Sequence, residues 1–274
     1  MIADVDPIQI TEFPKGEYVM KTENKVLIWD IPTRIFHWLL VCGFLVAALL
    51  ALGFGEHSPL FPYHALVGLI LGGMVVLRVI WGFWGTKYAR FSSFLFSPRA
   101  VFKYVTQVLQ GLGAPHVGHN PGSAYAIFAM LIMIAGLSVS GIIMGQGGKA
   151  FEEVHEVLAY TVMGVIFVHI LGVALHTIRH KENITASMFH GQKDGNSVDA
   201  ISSSRPIIAI IFVLVVSTWT GGLISHYDPQ RQSMRLPVLG TELKLGEGRD
   251  KEKRQYRTEH GHDEEHTDRH DEDD

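Results

Sequence analysis

Thiols are nearly missing from this chain: Cys42 is the only cysteine. An intrachain disulfide is excluded, and so is the Cys-x-x-Cys-His pattern that attaches haem covalently, so any haem would be held by non-covalent ligation. Cys42 lies in an apolar run and reads as a packing residue. Carboxylates are missing where apolar residues concentrate. Segments 35–54, 66–84, 123–145, 154–177 and 206–224 contain no aspartate and a single glutamate, Glu156. That lack weighs against a metal-ion carrier, which needs acidic or thiol ligands inside its helices. No nucleophile–base pair, phosphate-cradling glycine loop or basic patch for nucleic acid is present, so no nucleic-acid partner is expected. A basic leader followed by an apolar stretch is missing as well. Residues 1–16 are polar and acidic, so they do not read as a signal peptide, and the first apolar run is expected to act as its own uncleaved signal.

What is abundant is hydrophobic sequence, at 47% of residues with a net charge of only −4. The length alone would accommodate one or two soluble domains. The five runs of 19 to 24 residues argue otherwise. At about 1.5 Å per residue, each crosses a hydrocarbon core of about 30 Å. Backbone polar groups cannot face lipid unpaired, so each run is expected to be a helix. Basic residues alternate between connections. Lys15, Lys21, Lys25 and Arg34 come before or at the start of the first run, and segment 55–63 has none. Lys87, Arg90, Arg99 and Lys103 follow the second run, only Lys149 (beside Glu152 and Glu153) the third, and Arg179, Lys181, Lys193 and Arg205 the fourth. The positive-inside rule then puts the N-terminus in the cytoplasm and the C-terminal tail outside.

The expected organisation is a cytoplasmic segment 1–25, a four-helix core 26–193, a linker 194–205, a fifth transmembrane helix 206–224 and an extracytoplasmic tail 225–274. The fold class is all-α, an integral membrane four-helix haem-binding bundle plus a fifth transmembrane helix. Pro98 opens an amphipathic run that predicts a short interfacial helix. Residues 111–121 read as loop. No internal repeat is evident. From Asp250 the tail is low in complexity, with His260, His262, His266 and His270 among acids. It reads as a solvated segment, and none of its spacings matches a closed metal site.

Ionisable side chains in membrane helices are costly and usually functional, and here nearly all are histidine. His37 stands near the start of the first run, His64 near the start of the second, and His155, His169 and His176 along the fourth. His155 and His169 are 14 residues apart, within about 40° of one helical face and about 21 Å along the axis. Each can therefore serve a different haem, and neutral imidazole is an established axial ligand. By depth, His64 pairs with His155 at the outer side. The cytoplasmic His37 pairs with His169 or His176. A separation of about 32 Å between His155 and His176 would put the haems in opposite headgroup layers, which favours His169 and leaves His176 as its rival. His176 can instead bond a haem propionate or a quinone. Arg34 and Arg78 are candidates for a propionate. Gly68, Gly72, Gly73, Gly164 and Gly172 offer room for a flat macrocycle or for helix packing. His57, His116, His119 and His180 read as solvent-facing polar residues.

Several motifs resemble a known family. Trp29-Asp30-Ile31-Pro32-Thr33-Arg34-Ile35-Phe36-His37-Trp38 resembles the start of the bacterial membrane cytochrome b family, which includes cytochrome b561, the nickel–iron hydrogenase cytochrome b subunit and the formate dehydrogenase gamma subunit. The runs from Trp81 to Phe91 and from Gly118 to Gly122 resemble its stand-alone cytochrome b branch, and His155-Glu156, His169 and His176 resemble its fourth helix. The similarity covers about residues 25–193. It implies two haem b groups, a cytoplasmic one on His37 and His169 and an outer one on His64 and His155, held in a bacterial inner membrane. It also implies electron transfer in a respiratory chain between membrane quinone and a redox partner, such as a periplasmic c-type cytochrome or a hydrogenase-like enzyme. The fifth helix and the His-rich tail depart from the minimal pattern. The rivals are a superoxide oxidase feeding quinone, for which Lys149 and His57 are the only evident outer cations, and a non-enzymatic membrane anchor, which would not need the histidines.

Overall fold

The computed structural model describes residues 25–55, 58–112, 116–237 and 240–246. His57, most of the segment 1–25 and the His/acid-rich stretch from Asp250 lie outside them. Five helices are long and apolar enough to cross a membrane, at the positions expected from hydropathy. In chain order the helices are α1 (Ile31–Leu49, prolonged by a π-helical turn Leu50–Phe54), α2 (Phe61–Trp84), α3 (Pro98–Leu109), α4 (Pro121–Gly145), α5 (Glu152–His180), α6 (Ile184–His190) and α7 (Pro206–Ser225). The membrane-crossing members are α1, α2, α4, α5 and α7. Helices α1, α2 and α4 begin two to five residues before their apolar runs, because caps and prolines rather than hydropathy start them. Asp30 accepts a hydrogen bond from the Thr33 amide at 2.8 Å, and Asn120 accepts one from Ser123 at 2.8 Å. Pro32 and Pro121 occupy first turns where no amide donor is needed. Helix α3 forms as expected, with Ser97 as its cap and no buried residue.

The core is apolar and centred on Phe36, Leu71, Met74, Leu131, Ile134, Val162 and Phe212. Helix α2 is central, packing on α1, α4 and α7. The Trp219 indole donates to the Leu69 carbonyl at 3.1 Å and so pins α7 to α2. Of the membrane-crossing helices, α5 packs closely only on α4 and stands away from α1 and α2. Val162 is its one buried residue, at 0% exposure.

Each end of the bundle carries a small sheet. At the end where α1 starts, β1 (Lys25–Leu27) pairs antiparallel with β2 (Gln192–Asp194), and the chain crosses back so that the Ile31 amide bonds Ser204 at 2.9 Å. Asp30, 1% exposed, joins three segments there. Besides capping α1, it accepts from the Trp81 indole at 3.1 Å and from the Thr86 hydroxyl at 2.6 Å. Gly191 has a positive φ of 84° and takes the Ile28 and Trp29 amides on its carbonyl, and a Cβ there would meet Trp29 O and Arg34 Nη1 at 2.8 Å. At the opposite end the first part of the expected tail is folded. Strands β3 (Tyr227–Asp228), β4 (Ser233–Arg235) and β5 (Glu242–Lys244) form a meander, burying Met234, Leu236, Leu243 and Leu245 against Leu66, Leu69 and Leu223. Its apolar positions are too short and scattered to read as strands, and they become a core only by facing the helix ends.

Asp30→Ala removes the cap and orphans two buried donors, so it should destabilise the protein by about 2–4 kcal/mol, and Asp30→Asn by less because it keeps an acceptor. Thermal unfolding in detergent measures both.

Candidate functional site: two histidine pairs

At the end capped by the β3–β5 meander, His64 on α2 and His155 on α5 face one another with ring centroids 6.1 Å apart and planes at 76°. The Nδ1 of His64 lies 2.9 Å from the Ala47 carbonyl, which can only accept. The Nδ1 of His155 lies 2.9 Å from the Ser140 hydroxyl, whose own hydrogen goes to the Leu137 carbonyl at 3.1 Å. Both Nδ1 atoms therefore carry the proton, and both Nε2 atoms keep a bare lone pair. The spacing suits an iron between them. Two metal–imidazole bonds of about 2.0–2.1 Å, plus the half-widths of the rings, put the centroids about 6 Å apart. The residues present therefore fit a bis-histidine haem.

The second set lies toward the Asp30 end. His37 on α1 and His169 on α5 are within electrostatic reach of each other, and the His37 Nδ1 is buried without a protein partner. Arg78 is buried in α2, where its guanidinium lies 5.2 Å from the centre of the Phe91 ring and its Nη1 has no acceptor. Arg78 does not snorkel to a membrane surface. Arg34 donates to the Phe189 carbonyl, and its Nε is likewise shielded without an acceptor. Buried donors left unpaired are costly, and a haem carboxylate would supply the acceptor that both arginines lack.

His176 is drawn elsewhere. Its Nε2 lies 3.3 Å from Glu182 Oε2. His119 differs from its reading as a solvent-facing residue. Its ring packs 4.7 Å from Trp29 and 4.4 Å from Phe94, with Nδ1 shielded and without a partner. Burial, then the charges of Arg78, Lys193 and His169, push its pKa down to about 3. The signal for this site was Asn120-Pro121, since a helix start fixes its preceding residue against the bundle. Of the glycines considered, Gly68, Gly164 and Gly172 face open space. Gly72 and Gly73 are packing residues, because a Cβ would strike Ser138 and Trp219 at 2.7 Å. Among the described residues no group of three or more His, Cys, Asp or Glu converges that could hold a bare metal ion.

A membrane helix bundle that presents two facing imidazoles with bare Nε2 atoms, and carries further histidines on the same helix and on α1, has the character of a b-type cytochrome. Comparison with known proteins agrees. Residues 28–191 match the family model described as Prokaryotic cytochrome b561, and the chain belongs to that family. It is 22% identical over 223 residues to a "Probable Ni/Fe-hydrogenase B-type cytochrome subunit" of Rhizobium leguminosarum bv. viciae, covering 65% of this chain and 92% of the relative. A protein of the same name from Bradyrhizobium diazoefficiens is 23% identical over 211 residues, covering 61% and 85%. No solved structure matches the chain. The chain is a multi-pass membrane b-type cytochrome that acts in electron transfer.

Two predictions follow from these environments. Ser140→Ala frees the Nδ1–H of His155 and should weaken haem retention at that pair about 10–100-fold, read by haem content after dilution into apoglobin. The second concerns acid. Because the His119 pKa is lower folded (about 3) than unfolded (6.5), the unfolded chain binds the extra proton in between, and stability falls as pH drops from 6.5 toward 3. His119→Phe should flatten that part of the pH–stability curve by one proton's slope, measured by thermal unfolding across the range.

Proposed function

We propose that this chain carries two haem b groups, one on His64 and His155 and one on His37 and His169, and passes electrons through the membrane between quinone and a redox partner. The observation that carries this reading is the stand-off of α5 from α1 and α2. Val162, buried in the apolar core, stands seven residues from His155 and seven from His169. A helix that packs on α4 but not closely on α1 and α2 leaves room on that side for cofactors.

Haem supplies the one-electron chemistry when bound. The protein ligates, orients and buries it. Ala47 and Ser140 hold the His64 and His155 rings in the ligating tautomer, while Arg34 and Arg78 would pair with haem carboxylates at the other site. The basic connections support a bacterial inner membrane with the Asp30 end in the cytoplasm and the end capped by the β3–β5 meander in the periplasm. Quinone would approach from the lipid. The names of the relatives favour a hydrogenase-like enzyme as electron partner over a periplasmic c-type cytochrome, though either would dock at the capped end.

Purified His64→Ala and His155→Ala variants should each lose one haem and keep the other, and His37→Ala and His169→Ala should lose the complementary one, by reduced-minus-oxidised spectra per chain. Retention of both haems in any of the four contradicts the assignment.

A further inference from the structure

Beyond the ligand pairs, one cluster of titratable groups has no role in holding haem. It lies where α5 ends and the chain turns into α6 and β2. Glu182 stands between two bases. Its Oε2 is 3.3 Å from His176 Nε2, and its Oε1 is 3.7 Å from Lys193 Nζ. The side chains of His176, Glu182 and Lys193 are only 11%, 16% and 6% exposed. Lys193 also donates to the His116 carbonyl at 2.8 Å. The remaining charged neighbours are His180, whose ring is 4.6 Å from that of His176, then Arg179 on the same helix, and Asp194, which pairs with Lys25 across the β1–β2 sheet at 2.8 Å.

The position of the cluster is what makes it informative. His176 follows His169 by seven residues, about 10 Å along α5 and within about 20° of the same face. It therefore sits on the haem-facing side, one layer nearer the surface, with His180 beyond it at the helix end. A charge at that distance in a poorly solvated site is felt at the metal. The hydrogen bond from His176, with Lys193 adding to it, holds the Glu182 carboxyl below its usual range against the opposing effect of burial. Glu182 is then an acceptor, His176 Nε2 carries the hydrogen, and Nδ1 is the basic nitrogen of the ring. His119, also close to Lys193, stays neutral and is not the proton holder.

We propose that His176, positioned by Glu182, is a redox-linked proton site: it takes up one proton from cytoplasmic water when the haem on His37 and His169 is reduced. The electron would come to the haem from quinone or the redox partner, and the proton goes from water to His176 Nδ1. On reoxidation both leave. Glu182 is a positioning residue that stabilises the imidazolium, while Lys193 and the His116 carbonyl hold Glu182 in place. The inference rests on the dihaem reading.

The test is a redox titration of each haem in the purified protein, from about pH 5 to 8, for wild type and Glu182→Gln, with chemical mediators as electron donor and acceptor. Wild type should show one haem whose potential falls as pH rises, toward the tenfold change in equilibrium constant per pH unit that equals about 59 mV for one electron. The other haem should be nearly flat. Glu182→Gln should keep both haem spectra and lose that slope over the same range, and Glu182→Asp should recover part of it. A second measurement needs no variant: a pH-indicator dye should report close to one proton taken up per chain on full reduction in weak buffer. Two haems with pH-independent potentials, or an equal slope in wild type and Glu182→Gln, would overturn the proposal and leave the dihaem reading intact. A wild type without the haem on His37 and His169 would overturn both.

Discussion

The arrangement depends on one helix holding back from its neighbours. Helix α5 turns His155, Val162, His169 and His176 inward at seven-residue intervals, and only Val162 reaches the apolar core. Were α5 packed on α1 and α2 along its length, the imidazoles would be buried polar groups with nothing to bind. Because it stands off from them, with Val162 buried in the shared core between His155 and His169, the proposed reading puts one pair of histidines on either side of Val162. The cost of polar side chains in hydrocarbon is offset where Ala47 and Ser140 bond the rings. It remains visible in the unpartnered polar atoms of His37, Arg34 and Arg78.

A gap of this kind needs rigid ends. At one end the buried Asp30 carboxylate ties the start of α1 to the end of α2 and to the turn at Thr86. Gly191 brings α6 against the same segment. At the other end the β3–β5 meander closes over α2, α4 and α7, so the fifth helix is a strut that carries this cap. Two motifs that look unrelated in sequence, Trp29-Asp30 and Trp81 to Thr86, are thus halves of one latch.

Most of the architecture was legible in the sequence, because lipid allows so few solutions: long apolar runs must be helices, and rare ionisable groups within them stand out. His64 and His155 could be paired by depth alone. Other features were hidden by the distance in sequence between the groups that create them. The enclosure of His119 needs Trp29 and Phe94, the anchoring of His176 needs Glu182, and the folded part of the tail needs Leu66 and Leu223. Five glycines looked alike along the chain. Only their neighbours separate Gly72 and Gly73, which pack against Ser138 and Trp219, from Gly68, Gly164 and Gly172, which face open space.

The most direct test of the account is the number of haems per chain, by pyridine haemochrome against quantitative amino-acid analysis on protein expressed with ample haem. The account predicts two non-covalent b-type haems per chain, both low-spin when reduced. One haem would mean that the gap on one side of Val162 holds something else, and none would contradict the reading of that gap as a cofactor site.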